Sequence, residues 1–169
     1  MGILWIMKLV KIVSGGQAGV DRGALDAALQ NDFPCGGWCP PGRKAEDGPI
    51  PKSYPLVEMP KGGYRERTIQ NVVDSDGTII IYFGGLSGGT EQTLLHCIRR
   101  QKPYKLIDAD ETSTQRAANL VTAFISAHSI EALNVAGPRA SKEPTSFGYT
   151  YELMSRLLAS NRSAEPKDN

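Results

Sequence analysis

The chain has 169 residues and a mass of 18.3 kDa, which is enough to bury a substantial core but leaves room for only one domain. Its 19 Lys and Arg residues against 18 Asp and Glu residues give a net charge of +1, which excludes a general electrostatic attraction to nucleic acid or to an anionic membrane. We therefore expect no nucleic-acid or membrane partner, and we expect any charged ligand to be recognised locally.

The first predicted unit is a strand, a glycine-rich turn and a helix. The N-terminal run MGILWIMKLVKIV has neither a basic leader nor a small-residue cleavage site, so we interpret it as the approach to a buried strand at residues 9–13. The turn SGGQAG follows it. Apolar residues at helical spacing then predict a helix over residues 20–29, with Val20, Leu25, Ala28 and Leu29 facing inward.

The next segment combines a short second strand with a long loop. Residues 36–39 (GGWC) predict the strand, and PPGRKAEDGPIPKSYP after it is too rich in proline, glycine and charge to be a core element. A loop of this length is often functional, and we expect it to be able to close over a ligand. Its Glu46 and Asp47 could supply metal ligands or acid–base groups, but a charged, solvated turn is the favoured interpretation.

The rest of the chain alternates helices and apolar strands. The pattern predicts helices over 65–76, 91–100, 113–127 and 148–158, strands over 78–83, 104–108 and 132–137, and a flexible tail over 159–169. In the helix at 65–76, we expect Ile69, Val72 and Val73 to face inward. Alternation of this kind indicates an α/β fold with three layers, a modified Rossmann fold in which helices cover both faces of a mostly parallel sheet of about five strands. We expect residues 1–158 to form a single ligand-binding domain.

The three cysteines favour a reducing environment. Cys35, Cys39 and Cys97 are an odd number without the spacing of a disulfide framework, so we predict a cytoplasmic protein. Cys35 and Cys39 stand four residues apart, and a zinc site would need distant partners such as His96 or His128. We therefore interpret the cysteines as ordinary thiols and both histidines as structural, and we predict no metal ligands.

Three predicted strands end in glycine-rich loops, namely SGGQAGVDR, GGLSGGTEQT and GPRAS. In an open parallel sheet, such loops meet beyond the carboxyl ends of the strands, where ligands bind. Glycine lets the backbone approach a ligand closely, and the following helix offers free N–H groups and a partial positive charge. The loops therefore predict a cradle for an anion, to which Thr90 and Thr93 would add hydroxyl donors. Thr90 is also a good helix N-cap.

The common nucleotide motifs do not fit these loops. GGLSGGTE has no lysine after its glycines, and SGGQAG has serine where the dinucleotide fingerprint needs its first glycine. We therefore expect a phosphate-type or oxyanion site of another design, with arginines as counter-charges and Gln17, Asp21 and Asn134 as polar contacts. The candidate ligand-binding residues are Gly15, Gly16, Gln17, Asp21, Arg22, Arg43, Gly88, Gly89, Thr90, Thr93, Asn134 and Arg139. The alternative is that the arginines lie on the surface, that Asp21 only complements the helix dipole, and that the glycines serve packing.

Taken together, GGQAGVDRGALDAAL, GWCPPGRKAEDGPIP, RTIQNVVDSDGTIII and GGTEQT resemble the putative molybdenum-carrier family, a branch of the Lonely-Guy-like Rossmannoid proteins. The match covers residues 14–93 and, more weakly, LNVAGPRASKEP. The resemblance implies a modified Rossmann fold and a loop that binds the phosphate of a nucleotide or cofactor. It also implies the molybdenum cofactor, or a related oxyanion, as the ligand.

The chain departs from the resemblance at one position that matters for catalysis. Lonely-Guy enzymes cleave a base from a nucleoside monophosphate, and their pattern P-G-G-x-G-T-x-x-E ends in a glutamate that helps catalysis. Here Thr93 takes that place, and Glu91 falls two positions earlier on another side of the helix. The resemblance therefore implies binding rather than hydrolysis, unless Asp21, Glu46 or Glu91 has taken over the acid–base role.

Three functional hypotheses remain open. The first is a carrier or sensor that binds a phosphorylated nucleotide-like or pterin-cofactor ligand, with its anion on the amides of Gly88, Gly89 and Thr90. The second is a nucleotide N-glycosidase that uses the same pocket, and the third is a subunit whose glycines serve only packing. Because the sequence has no cluster of soft ligands, any molybdenum would arrive already held by an organic cofactor. A homodimer or higher homo-oligomer is compatible with all three hypotheses.

Overall fold

Five short strands lie side by side in one parallel sheet in the computed structural model, which describes residues 8–163. The sheet order is β2-β1-β9-β7-β8, and each neighbouring pair is parallel. In chain order the elements are β1 (Lys11–Val13), α1 (Val20–Gln30), β2 (Cys35–Gly36), β3 (Trp38–Cys39), a 3-10 turn (Pro41–Arg43), β4 (Lys44–Ala45), β5 (Gly48–Pro49), β6 (Val57–Glu58), α2 (Tyr64–Val73), β7 (Gly77–Tyr82), α3 (Gly88–Arg99), β8 (Tyr104–Asp108), α4 (Thr114–His128), β9 (Ala132–Ala136) and α5 (Ser146–Ser163).

Helices cover both faces of the sheet, as the sequence predicts. On the central strand β7, Ile79 and Ile81 pack into a large core with residues of α1, α4 and α5. Ile80 lies between them and points to the other face, where it packs with Val72 of α2 and Cys97 of α3. Because successive side chains of a strand point to opposite faces, one apolar run serves both layers. The predicted three-layer α/β fold is confirmed.

The predicted second strand is split in two by Gly37. Its φ of +137° favours glycine, and a Cβ there would lie 2.2 Å from the carbonyl oxygen of Ser14. Residues before this bend pair with β1, whereas β3 turns away and pairs with β6. The chain between β3 and β6 then packs against α1 through a small apolar cluster that includes Leu25, Ile50 and Leu56. The sequence prediction of one strand at 36–39 was wrong for this reason.

Other differences from the predicted elements lie at helix ends and faces. Helix α3 begins at Gly88, three residues earlier than predicted. The prediction missed this first turn because its two glycines suggested a loop. Leu29 and Val73, both predicted to face inward, are 39% and 42% exposed. Helix α5 continues to Ser163, so the predicted tail is helical over its first five residues, 159–163. The remainder of that tail, 164–169, and the apolar run at 1–7 lie outside the described residues.

Two further observations concern the chemistry that the fold permits. Cys35, Cys39 and Cys97 are free thiols, and no group of three or more His, Cys, Asp or Glu side chains within residues 8–163 could hold a metal ion. None of the helices in the same range is long and apolar enough to cross a bilayer.

Candidate functional site

A cavity of about 510 Å³ opens at the carboxyl ends of β1 and β9, between the loops that follow them and helices α2 and α3. All three predicted glycine-rich segments contribute to its walls. The cavity is within the size range of sites that bind small molecules. Of the twelve predicted ligand-binding residues, it brings together Gly15, Gln17, Asp21, Gly88, Gly89, Thr90, Thr93, Asn134 and Arg139.

The glycines in SGGQAGVDR and in GGLSGGTEQT lie in different surroundings. A Cβ on Gly15 would lie 2.1 Å from a guanidinium nitrogen of Arg67, and one on Gly16 would lie 2.4 Å from a methyl group of Leu56. These two glycines therefore make room for side chains of the protein itself. A Cβ on Gly89, by contrast, would meet no atom within 4 Å. Only the second loop presents bare backbone to open space in the cavity.

The first turn of α3 forms one end of the cavity. Its N-cap residue is Ser87, whose side chain makes no capping hydrogen bond, so Thr90 is the third residue of the helix and the prediction that it is the N-cap was wrong. The N–H groups of Gly88, Gly89 and Thr90 precede the first intrahelical bond, in which the N–H of Glu91 donates to the carbonyl oxygen of Ser87 at 3.3 Å. These three amides are the free donors of the positive end of the helix dipole.

Two cations from the loop after β9 line the cavity, and one of them lies beside this helix start. The ammonium of Lys142 donates to the hydroxyl of Ser87 at 2.6 Å, and its Nζ lies 3.2 Å from the position that a Cβ on Gly88 would take. Arg139 also lines the cavity, with its Nε 3.6 Å from the carboxylate of Glu46. The sequence prediction missed Lys142. Its signal is its place three residues after Arg139, in the loop that follows the third glycine-ended strand.

A buried ion pair lies elsewhere on the cavity wall. Nη1 of Arg67 is 3.4 Å from Oδ2 of Asp21, and the two side chains are 12% and 7% exposed. Burial raises the pKa of Asp21, partly offset by the charge of Arg67, the N–H of Gln17 and the charge of Arg22. Arg67 comes from α2 and was missed, because nothing in RERTIQNVV distinguishes it from an ordinary surface arginine. Arg65, two positions earlier, also lines the cavity and was missed for the same reason.

His96 of α3 also lines the cavity, although the sequence favours a purely structural role. The residue is 2% exposed, and its Nδ1 lies 3.3 Å from Nη1 of Arg100. Burial, together with the nearby charge of Arg100, lowers the pKa of His96. The imidazole is therefore neutral at physiological pH.

Three predicted residues lie outside the cavity, namely Gly16, Arg22 and Arg43. Arg22 donates to both carboxylate oxygens of Asp47, with its Nη2 2.8 Å from Oδ1, and this hydrogen bonding lowers the pKa of Asp47. The guanidinium of Arg43 donates to four backbone carbonyls, those of Ile50, Pro51, Tyr54 and Leu56. Both arginines therefore brace the loop that follows β3.

That loop is a packed part of the domain rather than the mobile lid that we expected. Glu46 accepts hydrogen bonds from the N–H of Ser141, at 3.0 Å, and from its hydroxyl. The N–H of Glu46 in turn donates to the side-chain carbonyl of Gln17 at 2.9 Å. Glu46 and Asp47 form the exposed turn between β4 and β5, as predicted, and their contacts with Ser141 and Arg22 hold this turn against the rest of the domain.

The family of the protein follows from comparison with known proteins. A model of the circularly permutated YpsA SLOG family matches residues 12–158. The chain belongs to this family. It is also similar to the crystal structure of a protein named putative molybdenum carrier protein from Syntrophus aciditrophicus SB, with a TM-score of 0.87 and 46% identity over 89% of this chain and 96% of that one. Among proteins with curated functions, none is detectably similar.

Several polar side chains in the cavity of this SLOG domain have partners within the chain. Thr93, at the place of the Lonely-Guy glutamate, donates its hydroxyl to the carbonyl oxygen of Gly89 at 3.0 Å. Asp21 is the sole carboxylate among the described residues that line the cavity, and it already faces Arg67. Glu91 is exposed and does not line the cavity. The site thus combines free amides with one acid, Asp21, and with four basic side chains, those of Arg65, Arg67, Arg139 and Lys142.

Proposed function

We infer that this protein is a carrier that binds a phosphorylated nucleotide-like or pterin-cofactor ligand, with the molybdenum cofactor as the leading candidate. The observation that supports this function is the uncapped start of α3, which faces an open cavity at Gly89. A helix start of this kind binds anions, because its free N–H groups and the helix dipole act in the same direction.

The charges around the helix start favour an anion at the same place. The ammonium of Lys142 has only a hydroxyl as its hydrogen-bond partner among the described residues, and Arg139, which lines the same cavity, is half-exposed and lies near Glu46. A cation next to the positive end of a helix is unfavourable until an anion lies between them. A phosphate or another oxyanion bound to the amides of Gly88, Gly89 and Thr90 would relieve that repulsion.

A carrier role fits the site better than hydrolysis of an N-glycosidic bond. That reaction needs a carboxylate free to act on the scissile bond. Asp21 is buried against Arg67, and Thr93 is bonded to the backbone of its own helix. The one carboxylate that lines the cavity among the described residues is therefore already held in an ion pair, whereas the amides at the start of α3 and the ammonium of Lys142 can hold a ligand.

We propose that any molybdenum is bound by an organic cofactor and not directly by side chains of this protein. The similar protein from Syntrophus aciditrophicus is named for molybdenum carriage. Within residues 8–163 of the present chain, the side chains provide no cluster of soft ligands, whereas the cavity provides an oxyanion cradle. The chain would thus hold the phosphate of the cofactor and leave the metal on the cofactor's own ligands.

The binding site can be tested by the thermal stability of the purified protein with phosphate, molybdate, tungstate, AMP, ADP-ribose and a pterin phosphate. A ligand that binds only the native state raises the melting temperature. We expect a rise with at least one phosphorylated compound, and loss of that rise in Gly89→Val, whose new side chain fills open cavity space without a clash.

Gly148→Val is the matched control, because Gly148 also has open space around it and does not line the cavity. This variant should keep the full ligand-induced rise. An unchanged rise in folded Gly89→Val would contradict the placement of the anion. No rise with any compound would contradict the proposed function.

A further inference from the structure

Two nitrogen donors in the cavity wall lack acceptors. Arginine can only donate, so the contact of Arg100 makes Nδ1 of His96 the acceptor and places the proton of the neutral ring on Nε2. That Nε2–H is buried and has no hydrogen-bond partner among residues 8–163. A buried donor without an acceptor is costly and uncommon in native proteins.

Arg67 provides the second unmatched donor. Its Nε is also buried without a partner in the described part of the chain, and its one contact with Asp21, at 3.4 Å, is longer than a normal charge-assisted hydrogen bond. Arg43 shows the contrast, since its guanidinium donates to four carbonyls. The guanidinium of Arg67 thus lies in the cavity wall with most of its donor capacity unused.

The polarity around these donors indicates the kind of group that they would bind. Both contacts of the Asp21 carboxylate are to Oδ2, which leaves Oδ1 as an acceptor without a partner among the residues described. The charges of Arg67 and Asp21 cancel, and His96 is neutral. Arg65 also lines the cavity, and its Nη1 lies 3.8 Å from Oε1 of Glu66, which offsets its charge. This wall therefore suits an uncharged group that both accepts and donates hydrogen bonds, in contrast to the cationic start of α3.

We propose that Arg67, His96 and Asp21 form a second subsite that reads the polar edge of a nitrogen heterocycle, while the phosphate of the same molecule lies on α3. The ligand class is then a phosphorylated heterocycle, such as a nucleotide or a pterin phosphate, and not a bare oxyanion or a sugar phosphate. Ring carbonyls or ring nitrogens accept from Arg67 and His96, and a ring N–H or amino group donates to Asp21. This inference rests on the proposed function, because it needs the phosphate site.

Isothermal titration calorimetry can separate the two subsites. The ring-bearing probes are AMP, GMP, UMP, CMP and neopterin phosphate, and the ringless probes are ribose 5-phosphate and inorganic phosphate. We expect at least one ring-bearing probe to bind at least ~10-fold more tightly than ribose 5-phosphate, the factor that one well-made buried hydrogen bond supplies. Equal binding of ribose 5-phosphate and every ring-bearing probe would overturn the subsite but not the phosphate site. Failure of every probe to bind would overturn both.

Substitutions assign the effect to the named residues. His96→Phe and Arg67→Met should lower the affinity for the best ring-bearing probe to that for ribose 5-phosphate, and should change the latter by less than ~2-fold. His128→Phe is the matched control, since His128 packs against Phe124 on α4 and does not line the cavity. An equal loss for all probes, or no loss, would overturn the assignment.

The NMR signal of the His96 side chain tests the subsite independently, in case Arg67→Met does not fold. With only two histidines in the chain, the nitrogen-bound side-chain protons can be assigned by NMR through His128→Phe. We expect the Nε2 proton of His96 to shift when the ring-bearing probe binds and to stay in place with ribose 5-phosphate. The same shift with both probes, or with neither, would overturn the subsite.

Discussion

At the scale of single residues, one amino-acid type serves two purposes in neighbouring loops. A side chain on Gly15 would displace Arg67, which occupies that space. Gly89 has no such neighbour, and its backbone faces the cavity. The sequence shows glycine in both places and predicts a cradle from both. The partner that fills the space beside Gly15 comes from a helix about fifty residues later, which no local pattern reveals.

Arg43 gives a prediction at this scale. We expect Arg43→Lys to destabilise the protein by at least ~2 kcal/mol, because lysine cannot reproduce the fork that donates to four backbone carbonyls. Urea unfolding measures the loss, and amide hydrogen exchange should show faster opening of residues 50–56.

The affinity of Arg43→Lys for phosphate or a nucleotide tests whether Arg43 also contributes to ligand binding. Because Arg43 lies outside the cavity, its replacement should leave ligand affinity within ~2-fold at a temperature where the protein is folded. Weaker binding with unchanged hydrogen exchange would show that Arg43 is the counter-charge that the sequence first suggested.

At the scale of elements, the contact of α1 with α5 depends on Gly23. A Cβ on this residue would lie 2.7 Å from the carbonyl oxygen of Phe147 and 3.0 Å from Cβ of Thr150. The absence of a side chain therefore lets the two helices approach closely on the face of the sheet that they share with α4. Asp21, which lines the cavity, lies two residues before Gly23 in the same helix.

Gly23→Ala should destabilise the protein by about 1–3 kcal/mol, because backbone atoms of α5 cannot yield as a flexible side chain can. Gly148→Ala is the matched control on α5. It has open space and should be neutral or stabilising by up to about 1 kcal/mol, from helix propensity alone. If the two substitutions changed the free energy of unfolding in urea equally, the contact between α1 and α5 would have room for a side chain at residue 23.

The elements themselves were predictable to different degrees. Apolar runs such as TIIIYF indicate strands buried on both faces, and the structure places β7 there, at the centre of the sheet. The glycines at 88 and 89 made the first turn of α3 look like a loop, because glycine has a low helix propensity. Gly88 has a φ of +56°, a backbone conformation that favours glycine. The bend at Gly37 was not predictable, since it depends on close packing against the backbone of Ser14, just after β1.

At the scale of the whole molecule, the strand order brings the site together. The last strand, β9, inserts between β1 and β7, so the loop that carries Arg139 and Lys142 lies between the other two glycine-rich loops. The sequence predicts that the three loops share one edge, because parallel strands end at the same side. It does not predict which strands are neighbours, or that α2 turns Arg67 inward, because both depend on pairings between distant segments.

The chain as a whole carries a charge of only +1, so its preference for an anion must come from this local arrangement. The most direct measurement is the anomalous diffraction of tungstate in crystals of the protein. We predict a bound oxyanion within hydrogen-bonding distance of the amides of Gly88, Gly89 and Thr90, with Lys142 as its nearest cation. Tungstate bound only outside this cavity, or absent from it at saturating concentration, would contradict an oxyanion site at the start of α3.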